Sequence, residues 1–268
     1  MWLLPAIVLL LGLLYLWCLK GRTGHKDLRK LRKFAYAHRG LHNENRPENS
    51  MAAFRAAWEH GYGIELDIHL MKDGNLAVIH DSSLKRVAGA DVAIEDLTLQ
   101  DLDQYTLGGT QEHIPLFSQV LELYRGKAPL IVELKCVGNN VVPLCEAACK
   151  MLDTYEGLYC MESFDPRVTR WLRKNRPDII RGQLSENWFH SQTKLPWLLK
   201  LLMAYHISNV YTRPDFIAYK YCDRKTFGTE ICRKLWRIQG VSWTLQRPEE
   251  YETAVQEGWI PIFEGFEV

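Results

Sequence analysis

The chain lacks a CxxC pair, and its seven cysteines are odd in number. That excludes a disulfide framework of the small secreted kind and fits thiols kept reduced. An excess of either charge is also missing: 33 Lys and Arg face 32 Asp and Glu, a formal net charge of +1. No general attraction to nucleic acid follows from that balance, so nucleic acid is not expected as a partner. There is no internal repeat. Charge is absent altogether from Trp2 to Leu19, eighteen residues in a row. No basic stretch precedes this run and no small-residue cleavage site follows it, which excludes a secretory signal peptide.

What the run offers instead is length and apolarity. As a helix it would reach about 27 Å, barely a bilayer core. Lys20, Arg22, Lys26, Arg29, Lys30, Arg32 and Lys33 follow at once, against Asp27 alone. The positive-inside rule then puts the downstream chain on the cytoplasmic side. The sequence predicts a single-pass transmembrane anchor over residues 1–20, a basic juxtamembrane linker over 21–33 and one globular domain over 34–268, with the membrane as a partner. The basic cluster either sets topology only or also touches anionic headgroups.

About 235 residues remain after the linker, the size of one α/β barrel. Strands and helices alternate along them. Strand 34–38 is followed by a helix from Met51 to His60, with Asn49 or Ser50 as cap and Gly61 as stop. Strand 63–68 runs into the turn Lys72-Asp73-Gly74-Asn75 and the apolar arm Leu76 to Ile79. A tight hairpin cannot join parallel strands, so residues 69–83 read as an excursion above a barrel. With the polar stretch to residue 114, including a short helix at Leu99 to Gln104, it forms an insertion over 69–114. A helix over Pro115 to Tyr124 comes next. Strands 129–135, 158–163, 178–184, 208–212, 239–245 and 259–263 then alternate with helices 140–153, 166–175, 195–205, 226–236 and 248–257. Eight strands in this pattern predict a (β/α)8 TIM barrel.

The chemistry concentrates at predicted strand ends. In Ile64-Glu65-Leu66-Asp67-Ile68 the two carboxylates are two residues apart and share one face of a strand. Two like charges on a buried face repel, and each is costly to desolvate. A hard divalent cation offsets that cost. Leu130-Ile131-Val132-Glu133-Leu134-Lys135 repeats the device, with Glu133 and Lys135 on one face. His38-Arg39-Gly40 ends the first strand, and His80 hangs from the loop after the second. Function in such barrels sits at this C-terminal end.

Together these motifs carry a specific resemblance. Ala37-His38-Arg39-Gly40, Pro47-Glu48-Asn49-Ser50, Glu65 through Gly74, His80-Asp81 and Glu133-Leu134-Lys135 closely resemble the glycerophosphodiester phosphodiesterase family. Ser163-Phe164-Asp165 and Val241-Ser242-Trp243-Thr244 extend the match toward the C-terminus. The resemblance implies a TIM barrel, one divalent cation (Ca²⁺ or Mg²⁺) and hydrolysis of glycerophosphodiesters to glycerol 3-phosphate and an alcohol. Glu65, Asp67 and Glu133 would hold the metal; otherwise they are ion-pair partners of Arg39 and Lys135. His38 and His80 resemble the family's acid/base pair, with the two roles unassigned. His69 falls within the motif, but a structural role in the hairpin suits it better, as it does His42, His60, His113, His190 and His206.

Arg39 suits a phosphate because its planar fork reaches two oxygens, and Lys135 adds a point charge. Glu48 either orients His38 or Arg39, or is a first-turn acid favourable to the helix dipole. Trp243, and Phe164 with it, either wall the substrate pocket or pack in the core. Two departures from the family pattern stand near the end: Gln246 where Asn is usual, and Phe263-Glu264-Gly265 where a Thr-Asp pair is typical.

The apolar segment from Trp188-Phe189 to Leu195-Pro196-Trp197-Leu198-Leu199-Lys200-Leu201-Leu202-Met203 follows the fifth strand. It is either a helix packed on the barrel or a rim that admits a lysophospholipid, cleaved in lysophospholipase D fashion. Rival readings are a phospholipase C or sphingomyelinase-D-like enzyme, which share a barrel with paired histidines, and a non-catalytic membrane-tethered binding module. The second would be expected to lack a metal ligand or a histidine, and the chain retains all of them.

Overall fold

The run Gly63–Leu70 forms strand β2 and is buried through its first seven residues. Unbroken burial marks a parallel strand covered on both faces. The computed structural model describes residues 2–191 and 193–268. Its strands are β1 (Tyr36–His38), β2, β3 (Leu76–Val78), β4 (Leu130–Leu134), β5 (Tyr159–Ser163), β6 (Arg181–Ser185), β7 (Phe216–Lys220), β8 (Gln239–Leu245) and β9 (Ile260–Phe263). They form one nine-stranded sheet in the order β1-β9-β8-β7-β6-β5-β4-β2-β3, and a β1–β2 pairing closes it. Only β3 is antiparallel, turning back on β2, so eight parallel strands make an α/β barrel.

The helices are α1 (Leu3–Cys18), α2 (Leu28–Leu31), α3 (Met51–Glu59), α4 (Lys85–Ala88), α5 (Phe117–Tyr124), α6 (Val141–Leu152), α7 (Pro166–Asn175), α8 (Trp197–Ala204), α9 (Asn209–Thr212), α10 (Phe227–Glu230) and α11 (Pro248–Gln256). Alternate strand residues divide between two cores, as a period of two requires. Ile64, Leu66 and Ile68 meet Phe54, Leu144 and other helix residues outside the ring. Tyr36, Ile131, Cys160, Phe216, Val241 and Ile262 fill the inside, where Leu31 joins them. The residues between β3 and α5 carry a small core of their own, with Ile79, Leu84, Ile94 and Leu102 buried together. All seven cysteines are free thiols.

Two expectations are corrected. The stretch 208–212 is not a strand: Asn209–Thr212 is helix α9, and the sixth barrel strand is Phe216–Lys220. The β-branched and aromatic content of Val210-Tyr211-Thr212 suits a strand, but Arg213 enters the left-handed region at φ 44° and ends a helical turn. Buried Asp215, ion-paired to Arg22 at 2.5 Å, then leads into β7.

The transmembrane anchor is the second correction. Among the described residues no helix is long and apolar enough to cross a membrane. Helix α1 stops at Cys18 after 16 residues, about 24 Å against a core of about 30 Å. The end of the apolar run belongs to the barrel. Leu19 is fully buried with Ile217, Cys232 and Ile238, a burial worth roughly 2 kcal/mol. Trp236 Nε1 donates to Leu16 O at 2.8 Å, and Arg213 Nη1 to Trp17 O at 3.0 Å. Arg22 of the basic linker is likewise spent on Asp215 and on the Ile179 carbonyl. The single-pass anchor, and the cytoplasmic placement that rested on it, are therefore set aside.

Candidate active site

The C-terminal ends of β1, β2, β4, β5 and β9 bring most of the sequence-selected residues to one mouth. Asp67 and Glu133 are register partners across β2 and β4, and Glu65 is the register partner of His38 across β1 and β2. Carboxylate oxygens of Glu65, Asp67 and Glu133 lie within 4.8 Å of one another. All three residues are buried. Lys135, one strand alternation beyond Glu133, stands 3.0 Å from Asp67 Oδ1 and 2.9 Å from Glu133 Oε2.

Burial and the neighbouring carboxylates push the Glu65 carboxyl well above its ordinary range. Burial also raises Glu133, to about 7, despite the opposing pull of Lys135. Asp67 goes the other way: burial is outweighed by Lys135, His80 and Arg39, and by a hydrogen bond that Asn49 Nδ2 donates at 2.9 Å. The donor set fits a divalent cation. It is made of carboxylate oxygens alone, as a hard ion prefers. Glu65 Oε2 is buried with no hydrogen-bond partner among the described residues, and the nearby His38 Nε2 is 3.8 Å away. A buried carboxyl oxygen left so must be neutralised, by a proton or by a bound cation.

His38 ends β1 and is largely covered. Its Nδ1 lies 2.5 Å from Glu264 Oε2. Burial lowers its pKa, with Glu264 opposing. His80 follows β3, where the Ile79 amide donates to Asp67 O at 3.0 Å and ties the excursion to β2. His80 Nδ1 meets Asp81 Oδ1 at 2.6 Å, and its carbonyl accepts from His69 Nε2 at 3.1 Å. Burial lowers the His80 pKa to about 4; Lys135 and Arg39 push the same way, and Asp67 opposes them. Both imidazoles are therefore neutral at physiological pH and able to exchange a proton.

Arg39 adopts φ 53°, which turns the chain sharply after β1 and points the guanidinium back at the site. Its Nη1 donates to Glu48 Oε1 at 2.8 Å, and its Nε lies 3.4 Å from Asp67 Oδ2. Glu48 also holds Arg86 through both oxygens, at 2.7 and 2.9 Å, and Arg86 Nε reaches Asp81 Oδ2 at 2.5 Å. Glu48 thus orients Arg39 and, through Arg86 and Asp81, is linked to His80. Trp243 on β8 and Phe164 after β5 meet edge to face at 5.5 Å, and Phe164 meets Trp188 in the same way at 5.5 Å. Trp243 and Phe164 are half-buried.

Four contributors escape the sequence reading. Glu162 is the register partner of Glu133, is 1% exposed, and has a carboxyl oxygen with no hydrogen-bond partner among the described residues. Its signal is a lone acid in the apolar strand Tyr159–Ser163, alternating in step with Glu133. Asn49 sits inside a motif but serves Asp67, while Ser50 caps α3. Arg86 carries no sequence signal beyond its charge, and Glu264 stands out only as part of the departure Phe263-Glu264-Gly265.

The model of the glycerophosphoryl diester phosphodiesterase family matches residues 38–221. A glycerophosphodiester phosphodiesterase from Caldanaerobacter subterraneus subsp. tengcongensis is 31% identical over 242 residues, covering 85% of this chain and 92% of that one. The chain belongs to the glycerophosphodiester phosphodiesterase family. It is accordingly a phosphoric diester hydrolase. The lysophospholipase D GDPD1 of Homo sapiens is 38% identical over 120 residues, which cover 40% of this chain and 37% of that protein. Among solved structures, an Oleispira antarctica phosphodiesterase in complex with the product sn-glycerol-3-phosphate shares the fold. Its TM-score is 0.70 at 19% identity, covering 86% of this chain and 92% of that one. A glycerophosphodiester phosphodiesterase from Thermotoga maritima aligns with TM-score 0.65 at 25% identity, covering 86% and 93%.

Proposed function

We propose that this phosphodiesterase cleaves glycerophosphodiesters to glycerol 3-phosphate and an alcohol, with a divalent cation held by Glu65, Asp67 and Glu133. The observation that carries the reading is the convergence of those three carboxylates within 4.8 Å, beside two neutral imidazoles. The cation, Ca²⁺ or Mg²⁺, would polarise the phosphate when bound. Arg39 and Lys135 bind phosphate oxygens and balance the charge that builds on them. One imidazole of the His38–His80 pair takes the proton of the attacking hydroxyl as its oxygen bonds to phosphorus; that hydroxyl is water's, or it is the substrate glycerol's own 2-hydroxyl, in which case water then opens the resulting cyclic phosphate. The other imidazole, protonated beside the negatively charged phosphate, gives that proton to the leaving alkoxide as the second P–O bond breaks. Trp243 and Phe164 wall the alcohol, and Glu48 keeps Arg39 aimed. We place the catalytic body in residues 34–268, with the insertion over 69–114 delivering His80.

The test uses the full chain and glycerophosphocholine. Release of choline and glycerol 3-phosphate is expected, lost with a chelator and restored by Mg²⁺ or Ca²⁺. His38→Ala and His80→Ala should each lower turnover at least 100-fold. Chelator-resistant turnover, or full turnover in either variant, contradicts the mechanism.

A second reading, lysophospholipase D cleavage, is favoured by one feature: Trp197, Leu198 and Leu199 on α8, after the β6 loop, are exposed. Such a patch suits an acyl chain. Lysophosphatidylcholine in micelles would then be hydrolysed, and Trp197→Ser with Leu198→Ser would lower that activity and spare glycerophosphocholine. No hydrolysis of lysophosphatidylcholine removes this reading and leaves the first intact.

A further inference from the structure

Glu264 follows β9, the neighbour of β1 in the closed sheet, and its amide donates to Leu245 O at 2.9 Å. The sequence marks it only as a departure from the family pattern. In the fold its Oε2 lies 2.5 Å from Nδ1 of His38. An ionised carboxylate can only accept, so Nδ1 must carry the hydrogen. The other ring nitrogen, Nε2, then holds the lone pair, and it is the atom 3.8 Å from Glu65 in the acidic pocket.

His80 makes an instructive contrast. Its carboxylate partner, Asp81, gives its second oxygen to Arg86 at 2.5 Å, so a permanent cation already neutralises it. Glu264 has no such neutraliser: among the described residues its charged contacts are His38 and, at 3.9 Å, His42. A carboxylate not balanced by arginine or lysine holds the N–H firmly and steadies the imidazolium once a proton arrives.

We propose that Glu264 is the positioning residue for His38: it holds the Nδ1–H tautomer and leaves Nε2 to accept the proton of the attacking hydroxyl. This rests on His38 acting as an acid/base group. It goes further by naming the nitrogen that works, the direction of transfer and the residue that enforces both. The leaving alkoxide takes its proton from His80, which must enter the step as the imidazolium; the negative phosphate bound beside it favours that charged form.

The experiment is nitrogen-15 NMR of the full chain with labelled histidine rings, at about pH 8 where the ring is neutral. The His38 signals are assigned by their loss in His38→Gln. Wild type should show Nδ1 protonated and Nε2 bare. Glu264→Ala should move His38 to the Nε2–H form that free imidazole prefers, and kcat should fall 10- to 100-fold with KM little changed. Glu264→Asp should recover part of kcat. If Glu264→Ala does not fold, Glu264→Gln decides, since it keeps the shape and removes the charge; kcat is expected to fall there too. An unchanged His38 tautomer in Glu264→Ala, or wild-type kcat in Glu264→Gln, overturns the proposal. Full activity in His38→Ala instead overturns the acid/base reading on which it rests, and leaves the tautomer result standing.

Discussion

Asp67 and Glu133 face each other across β2 and β4, and the ammonium of Lys135 stands between them, 3.0 Å from one and 2.9 Å from the other. The amine does part of a cation's work at the acid cluster. Removing one partner of a buried ion pair leaves an uncompensated charge, at a cost of about 3–5 kcal/mol. Lys135→Met should therefore destabilise the metal-free protein by that order, and bound cation should restore part of it. Thermal unfolding with chelator and with Mg²⁺ or Ca²⁺ checks this. The metal-induced rise in midpoint should be larger in the variant than in the wild type; an equal rise would show that Lys135 and the ion do not share the charge.

Glu162 carries the opposite liability. Burial, then Glu133, raises its carboxyl well above 4.5. The folded state thus keeps a proton that the unfolded state releases, so stability falls as pH rises through 4.5. Glu162→Gln removes that liability, and the metal-free variant should be more stable at pH 7 by roughly 1–3 kcal/mol. Urea unfolding at pH 5 and pH 8 reads it: the gain should grow with pH. A loss at pH 8 would mean that the carboxylate is held by a favourable partner.

The barrel was legible because its strands are short apolar runs set apart by capped helices, and both signals are local. Ser50 shows this, accepting from the Ala53 amide at the start of α3 as its place in the sequence suggests. Strand alternation correctly placed Glu65 with Asp67, and Glu133 with Lys135, on shared faces. What sequence could not supply was anything set by closure of the ring. Glu264 meets His38 across 226 positions, and no local pattern encodes that. The apolar run at the N-terminus misled for a related reason. Hydropathy sees Leu19 as the last residue of a span, whereas Ile217, Cys232 and Ile238 make it a core residue. Residues 208–212 misled because β-branched content outweighed the helical turn that Arg213 terminates.

Arg86 lies half-exposed and joins Glu48 to Asp81, and so couples the Arg39 side of the mouth to the His80 side. Solvent screens such pairs, so Arg86→Ala should cost less than about 1 kcal/mol in stability. Turnover should suffer more, about 10-fold, because Asp81 and Glu48 lose the cation that fixes them against His80 and Arg39. Arg86→Lys should recover little, since a single ammonium cannot bridge both carboxylates as the planar fork does. Melting midpoint and kcat measured side by side separate the two effects. A large loss of stability with unchanged kcat would make Arg86 a purely structural brace.

His206 sets an acid limit on the fold. It is fully buried, with Nε2 at 2.9 Å from Thr229 Oγ1 and Nδ1 without a partner among the described residues. Burial lowers its pKa from 6.5 to about 3. Between those values the unfolded chain binds a proton that the folded chain refuses, so stability rises with pH across the window and falls on acidification. The full contribution is present above pH 6.5 and is lost progressively toward pH 3, up to about 5 kcal/mol at one pKa unit per 1.36 kcal/mol. The residue sits at φ 58°, a conformation that Asn also tolerates. His206→Asn should lower stability at pH 7, through the lost packing against Tyr219, yet flatten the decline between pH 6 and pH 4. Denaturant unfolding at a series of pH values tests this by slope, which a general loss of stability would not alter. A variant curve parallel to the wild type across that window would show that His206 takes up no proton on unfolding.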